Sequence, residues 1–254
     1  MSKATLAPGV PADYYESIRR VEDDHWWFRG MREISRVLLR PHLRSGARVL
    51  DAGCGTGGYL RWLLDGGSVS SAAGVDVATA AVELARRHVP EADLRVAPLS
   101  ELPFEDGAFD LVVSNDVLQH VDESELEASL GELRRVLRAG GTLLLRTNGS
   151  WRLRPERSDW RAYDPKTLGQ QLAAAGFAVE RVTYANCVPS LWGRIRGRVP
   201  HAPTNESHGI PSVREPRAQA VVGLALLRLE ARLLTLPRAR LPYGHTLFAL
   251  AGRA

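Results

Sequence analysis

The sequence predicts an α/β fold, a mostly parallel sheet with helices on both faces, and three observations carry that expectation. Short apolar runs with strand character, at 48–51, 72–75, 94–97, 109–114 and 142–146, recur along the first 150 residues. Between them lie segments of helical spacing, clearest in Leu126, Leu130, Leu133 and Leu137. The first strand runs into a dense glycine turn, Val49-Leu-Asp-Ala-Gly-Cys-Gly-Thr-Gly57, that feeds a helix. Strands alternating with helices at this spacing connect through crossovers, which makes the strands parallel and covers both faces.

Ahead of the first strand, residues 13–20 and 28–40 read as helices joined by the acidic and aromatic stretch EDDHWWF, with Pro41 and Gly46 as punctuation. Residues 1–44 are therefore expected to form a helical cap on a domain spanning 45–254. Helices follow at 59–64, 79–88 and 124–138, the last ended by Gly140-Gly141. A helix at 165–175 and a strand at 177–184 continue the alternation. Residues 198–216, rich in Pro, Gly, His and Ser, read as a loop or insertion that shapes an acceptor pocket. A Leu-rich helix at 217–236, apolar on most sides, suits core packing or a homodimer contact better than membrane attachment. A closing strand covers 245–251.

Composition is that of a globular protein: 44% of the 254 residues are hydrophobic and 24% charged, enough to bury one large core. The longest apolar stretch, 220–227, stops at Arg228 and is too short to span a bilayer. The first residues lack the apolar run of a leader peptide, and Cys54 and Cys187 have neither metal nor redox spacing, so a reduced cytoplasmic setting without a metal is expected. Charge is uneven: residues 1–149 hold 17 Lys and Arg against 22 Asp and Glu, whereas 150–254 hold 16 against 7. The basic half could face an anionic substrate, an acidic carrier, a membrane surface or nucleic acid, or be a solvated arginine-rich surface. No nucleic-acid-binding signature accompanies it, so nucleic acid is not an expected partner.

The glycine turn is the sharpest local signal. Tight glycines at a strand end let a ligand approach the backbone. Gly53, Gly55 and Gly58 also satisfy the dinucleotide spacing G-x-G-x-x-G, so the turn alone leaves two nucleotide chemistries open. Asp51, just before the glycines, can hold an amino group and would repel a pyrophosphate. Asp76, ending the next strand, can accept from both hydroxyls of a ribose, a feature the two chemistries share.

VLDAGCGTG, GVDVATAAVELAR, ELPFEDGAFDLVVSNDVLQHV and RRVLRAGGTLLL, in this order over 47–146, resemble successive motifs of the class I S-adenosylmethionine-dependent methyltransferases. DHWWFRGMRE resembles the N-terminal segment of a branch acting largely on small molecules. The resemblance implies a Rossmann-like seven-stranded sheet with the last strand antiparallel and inserted beside the fifth. It also implies S-adenosyl-L-methionine as donor and S-adenosyl-L-homocysteine as product. Gly53 and Gly55 would face the methionine part, Asp76 the ribose and Val77 the adenine. Asn115 would meet the donor through its backbone. Pro98 stands where the family often has an acid near adenine, which leaves that reading to the Leu99 amide or Ser100.

Methyl transfer from a sulfonium needs alignment first and a base only where the acceptor keeps its proton. His120, after the fourth strand, is the candidate base, with structural support of its loop as the plainer reading. Asp116 is expected to cap the short helix that follows. His25, Trp26, Trp27 and Phe28 could form a water-excluding lid or simply plug the sheet's open end. Trp27 is the candidate over the sulfonium. Arg32, ahead of Arg29, is the candidate for the donor's carboxylate, and Tyr14 and Tyr15 are candidate roof residues. Trp151, Trp160, Tyr184, Trp192, His208 and His245 are candidates for an acceptor pocket, and Arg194, Arg196 and Arg198 for a bound anion or an exposed basic loop. The expected activity is O-, N- or C-methylation of a small molecule, a specialised metabolite being the favoured class. Alternatives are a cyclisation or rearrangement on the same cofactor, a partner-activating subunit that keeps the pocket, and nucleic-acid methylation.

Overall fold

The computed structural model describes residues 14–150, 161–188, 190–191 and 217–253. In chain order the elements are α1 (Tyr14–Val21), α2 (Trp26–Leu39), β1 (Ala47–Ala52), α3 (Gly58–Asp65), β2 (Val69–Asp76), α4 (Thr79–His88), β3 (Asp93–Val96) and β4 (Phe109–Asn115). After β4 come α5 (Glu123–Val136), β5 (Leu137–Asn148), α6 (Pro165–Ala174), β6 (Phe177–Ala185), α7 (Arg217–Leu233) and β7 (Thr246–Arg253). They form one seven-stranded sheet in the order β3-β2-β1-β4-β5-β7-β6, with β7 antiparallel between β5 and β6. The Rossmann-like class and the place of the last strand match the expectation.

Side-chain alternation divides the core between the two faces. In β5, Leu143 and Leu145 join α5 and α6, while Leu144 joins α2 and α7. In β7, Leu247 and Ala249 face the first group, Phe248 and Leu250 the second. Helices α3 and α4 close a smaller cluster over Ala72 and Leu94.

Several boundaries differ from the expected ones: β2 begins at Val69, β5 runs from Leu137 to Asn148 through Gly140-Gly141, α7 ends at Leu233, and two helix ends have a clear local cause. α2 starts at Trp26 rather than at 28, because the His25 side chain accepts the Trp27 N–H at 3.2 Å and caps the helix. Histidine is not among the usual N-cap residues, so capping rules pass over this start. α5 ends at Val136 rather than 138, because Leu137, the last residue of its leucine stripe, already pairs with Phe109 of β4.

α7 lies along α2 with close approaches in both directions. A Cβ on Gly30 would run into Leu227, and one on Gly223 into the Trp26 ring. The only acid of α7, Glu230, is 2% exposed and accepts the backbone N–H groups of Asn186 (2.6 Å), Cys187 (2.7 Å) and Val188 (3.2 Å), which pins the helix to the chain leaving β6. The outward face of α7 keeps Val221, Val222, Leu229 and Leu233 exposed. Among the described residues, no helix is long and apolar enough to cross a membrane.

Gly30→Ala should destabilise the fold by about 1–3 kcal/mol, the cost of overpacking. Adding Leu227→Ala should cost less than its own penalty on top, because the worst contact, with the Leu227 Cδ1, is removed and only the one with the residue 227 Cβ stays. Urea unfolding of the two single variants and the double variant reads this coupling, and strict additivity would refute the contact.

Candidate active site

Along the face covered by α2, α3 and α7, the apolar strand rows end in polar residues. β1 passes from Val49 to Asp51, β4 from Leu111 and Val113 to Asn115, and β5 from Leu144 to Arg146. Asp51 is 1% exposed, and its Oδ1 has no hydrogen-bond partner among the described residues. Burial pushes its carboxyl well above the usual carboxylate range. Arg146 pulls it back, while Asp76 and Glu22 add to the rise. Both side-chain amide atoms of Asn115 are likewise buried without a partner there. Buried polar atoms are nearly always satisfied, so two such residues on neighbouring strands mark a place shaped for a polar ligand.

The glycine turn lies beside them. Gly53, Gly55 and Gly57 have φ of +96°, +52° and +85°, backbone that L side chains rarely adopt. Two of them serve different ends. The space a Cβ would take on Gly53 is filled by Val117, so that glycine serves packing against the chain after β4. A Cβ on Gly55 would meet nothing within 4 Å, which leaves an open cradle. The turn is braced by Asp76, which accepts the Gly55 N–H on Oδ2 (2.9 Å) and the Ala78 N–H on Oδ1 (2.9 Å). The Val77 N–H also faces this carboxylate, whose oxygens together offer about four acceptor sites, so capacity for a further donor remains. Burial raises the Asp76 pKa against these backbone bonds, and Tyr15 of α1 stands close enough for the Asp76 charge to raise its phenol as well. Beyond Asp76, Val77 is 41% exposed, Leu99 is buried and Ser100 half-buried, and the Ala97 N–H ties their segment to the Asp76 carbonyl at 3.1 Å.

The N-terminal cap is stitched onto this turn. Glu22, buried between α1 and α2, accepts from Thr56 Oγ1 (2.7 Å) and Arg19 Nη1 (3.1 Å), and its carboxylate occupies the space a Cβ on Gly58 would need. Arg32 donates from Nη2 to the Gly58 carbonyl (3.1 Å) and lies 3.7 Å from Asp23. The candidate for the donor's carboxylate thus braces the first residue of α3.

Arg146 is 5% exposed, with Nε (3.1 Å) and Nη2 (2.6 Å) on Asp116 Oδ2 and its guanidinium 5.0 Å from the centre of the Trp27 ring. Asp116 does not cap the short helix after β4, as the sequence suggested. It sits at φ +58°, donates its N–H to the Arg146 carbonyl (2.8 Å) and spends its carboxylate on the guanidinium, while the 3-10 turn Leu118–His120 has no side-chain cap. His120 is exposed at the end of that turn, and buried Gln119 ties the turn to Thr147 (3.0 Å) and the Asn148 N–H (3.2 Å).

Of the remaining candidates, Tyr184 is buried and bonded to Ser150 (2.8 Å), and His245 is buried where β7 begins. Trp151, Trp160, Trp192, His208, Arg194, Arg196 and Arg198 lie outside the described residues. The structure therefore gathers Trp27, Arg32, Asp51, Gly55, Asp76 and Asn115 around one edge of the sheet, with His120 exposed on the loop after β4. Sequence reading passed over Glu22 and Arg146. Arg146 left a signal, a charge closing the apolar run TLLL; Glu22 was hidden in a run of acids.

A parallel sheet with a glycine turn after β1 and acids ending β1 and β2 defines a nucleoside-binding α/β protein. Residues 50–145 match the family model described as a methyltransferase domain. A probable S-adenosylmethionine-dependent methyltransferase of Mycolicibacterium smegmatis is 30% identical over 182 residues, 69% of this chain and 68% of that one. A malonyl-[acyl-carrier protein] O-methyltransferase of Enterobacter lignolyticus is 37% identical over 140 residues, 53% of this chain and 52% of that one. Among solved structures, Haemonchus contortus phosphoethanolamine N-methyltransferase 2 in complex with S-adenosyl-L-methionine superposes with a TM-score of 0.62 at 17% identity, covering 96% of this chain and 57% of that one. The chain belongs to the S-adenosylmethionine-dependent methyltransferases. Its site fits that donor: Arg19 pairs with Glu22 and Arg146 with Asp116, while Asp51 and Asp76 have no ion-pair partner among the described residues and suit a cationic ligand.

A ligand ammonium favours ionised Asp51, so donor affinity should rise with pH through the raised carboxyl range, with proton release on its acid side. For stability of the free chain the sign is opposite. A raised carboxyl pKa favours the protonated folded form, a contribution full at acid pH and lost as pH rises through the raised value. Asp51→Asn should cost about 1.5–3 kcal/mol of donor binding and flatten this slope. Calorimetry in buffers of different ionisation enthalpy reads the proton. A slope unchanged in the variant would assign the linkage elsewhere.

Proposed function

We propose that the chain transfers a methyl group from S-adenosyl-L-methionine to a small-molecule acceptor and releases S-adenosyl-L-homocysteine. The observation that carries the reading is the unpartnered, buried Oδ1 of Asp51 beside the open cradle at Gly55. A carboxylate there suits an ammonium, whereas a pyrophosphate would meet like charge. The donor supplies a methyl already activated by a sulfonium, so the protein's task is alignment, an effect worth roughly 7–11 kcal/mol in well-oriented systems.

In this reading Asp51 holds the amino group, Gly53 and Gly55 border the methionine part, and the free lone pairs of Asp76 accept from the ribose. Val77, Leu99 and Ser100 border the adenine, the exposure of Val77 supporting an apolar contact there. Asn115, with unpartnered amide atoms on the next strand, meets the far end of the donor or the acceptor. Trp27 and the cap it belongs to exclude water, with Glu22 and Arg32 fixing the cap to the glycine turn. The segment 198–216, expected from sequence to shape the acceptor pocket, lies outside the described residues. His120 serves as a base only for an acceptor that keeps its proton at neutral pH.

Calorimetry with S-adenosyl-L-homocysteine tests the reading, and a folded chain that binds neither it nor the donor would overturn it. Asp76→Ala should weaken binding by about 1.5–3 kcal/mol, the scale of hydrogen bonds to a charged group. Unchanged affinity would remove Asp76 from the ribose. In His120→Ala, a lower kcat with donor affinity kept would support base chemistry, and weaker donor binding would support a structural role.

A further inference from the structure

We infer that Arg146 is the acceptor-recognition residue of this site and that it reads a carboxylate on the acceptor, an inference that rests on the methyl-transfer reading. The topology says on which side the acceptor enters. The glycine turn and Asp76 assign the donor to β1 and β2, and β3 borders β2 on the far side. The neighbour of β1 in the other direction is β4, followed by β5, whose registered end pair is Asn115 and Arg146. An acceptor that meets the methyl beyond the methionine part therefore meets these two side chains.

Arg146 is built for a planar anion. Asp116 takes Nε and Nη2 through a single oxygen, and Nη1 has no hydrogen-bond partner among the described residues, so the Nη1–Nη2 edge of the guanidinium remains for a second, two-point contact. Trp27 covers one face of the group and the Asp116 backbone, in a left-handed conformation, is bonded to the Arg146 carbonyl. A conformation that non-glycine residues seldom adopt is thus held at the residue that aims the guanidinium. The charge balance selects the anion. Asp116 already neutralises Arg146 and Asp51 closes a strand row on the same face, so the singly charged carboxylate is favoured over a phosphate dianion, which would bring a second negative charge.

The test follows arginine 15Nε–1H signals of the full chain, free and saturated with S-adenosyl-L-homocysteine, during titration with acetate, acetamide and inorganic phosphate. Arg146→Lys identifies the Arg146 signal, and Asp116→Asn identifies it independently should the lysine variant not fold. Acetate should shift that signal saturably while acetamide leaves it in place and phosphate binds more weakly. In Arg146→Lys, acetate affinity read from the Trp27 indole 15Nε1–1H signal beside the group should fall about tenfold with S-adenosyl-L-homocysteine affinity kept, since a lysine cannot offer the two-point edge. Asp116→Asn, which removes the competing anion, should bind it more tightly. No saturable shift with acetate, an equal shift with acetamide, or phosphate binding as tightly as acetate would each overturn the inference. So would an Arg146→Lys variant whose homocysteine-donor affinity drops tenfold, because that would put Arg146 on the donor. Failure of the parent chain to bind S-adenosyl-L-homocysteine would instead defeat the methyl-transfer reading, and the titration of the free chain would still decide whether Arg146 takes a carboxylate.

Discussion

Carboxylates gathered at the carboxyl edge of an apolar sheet are the constraint from which the rest of this site follows. Asp51 and Asp76 end β1 and β2 where the strand rows behind them are Val49, Leu50, Ala73 and Val75, all buried. Taking an ionised carboxylate out of water is costly unless hydrogen bonds or opposite charge offset it. Asp76 is offset by backbone N–H groups of the turn it braces, Glu22 by Thr56 and Arg19, and Asp116 by Arg146. Asp51 keeps one oxygen without such an offset, so among these carboxylates it is the one at which a cationic ligand would be most effective.

The N-terminal cap supplies much of that offset, which makes it part of the site. α2 packs its small Gly30 against Leu227 of α7 and its large Trp26 against Gly223, a reciprocal fit that sets where the helix begins. From that start, Trp27 reaches Arg146 and Arg32 reaches Gly58. Glu230 fixes α7 in turn to the chain after β6. The position of the aromatic cover is therefore set by packing some distance from the chemistry, through one helix pair.

The strand and helix order was legible because each β-α unit carries its own periodicity, and the glycine turn was legible because left-handed backbone at Gly53, Gly55 and Gly57 demands that residue type. Side-chain positions were legible only where one local geometry dictates them, as for Asp51 and Asp76 at the ends of their strands. Asp116 shows the limit. Its distance from the next helix in sequence suggests a cap, but its partner is Arg146, thirty residues later and adjacent only through the pairing of β4 with β5. Arg32 is a similar case: helical spacing puts it on the inner face of α2, and only the docking of α2 on α3 says that it meets a carbonyl. Glu22 lies among Asp23 and Asp24, and nothing local marks which of the three acids is buried.

The same charge arrangement bears on turnover. In the proposed reading, Asp51, Asp76 and their neighbours attract a donor that carries a sulfonium and an ammonium against one carboxylate. Loss of the methyl removes the sulfonium charge, so the product is held by one charge less. Opposite unit charges about 4 Å apart near a protein surface are worth on the order of 4 kcal/mol before solvation is counted. A fraction of that is enough to make the site prefer the methylated donor over its product. In that reading the acids without an ion-pair partner work in two directions: they favour a cation in the site and loosen their hold once that cation is discharged. The pairing of Arg146 with Asp116 fits the same logic, since an unpaired positive charge there would oppose the approach of a cationic donor.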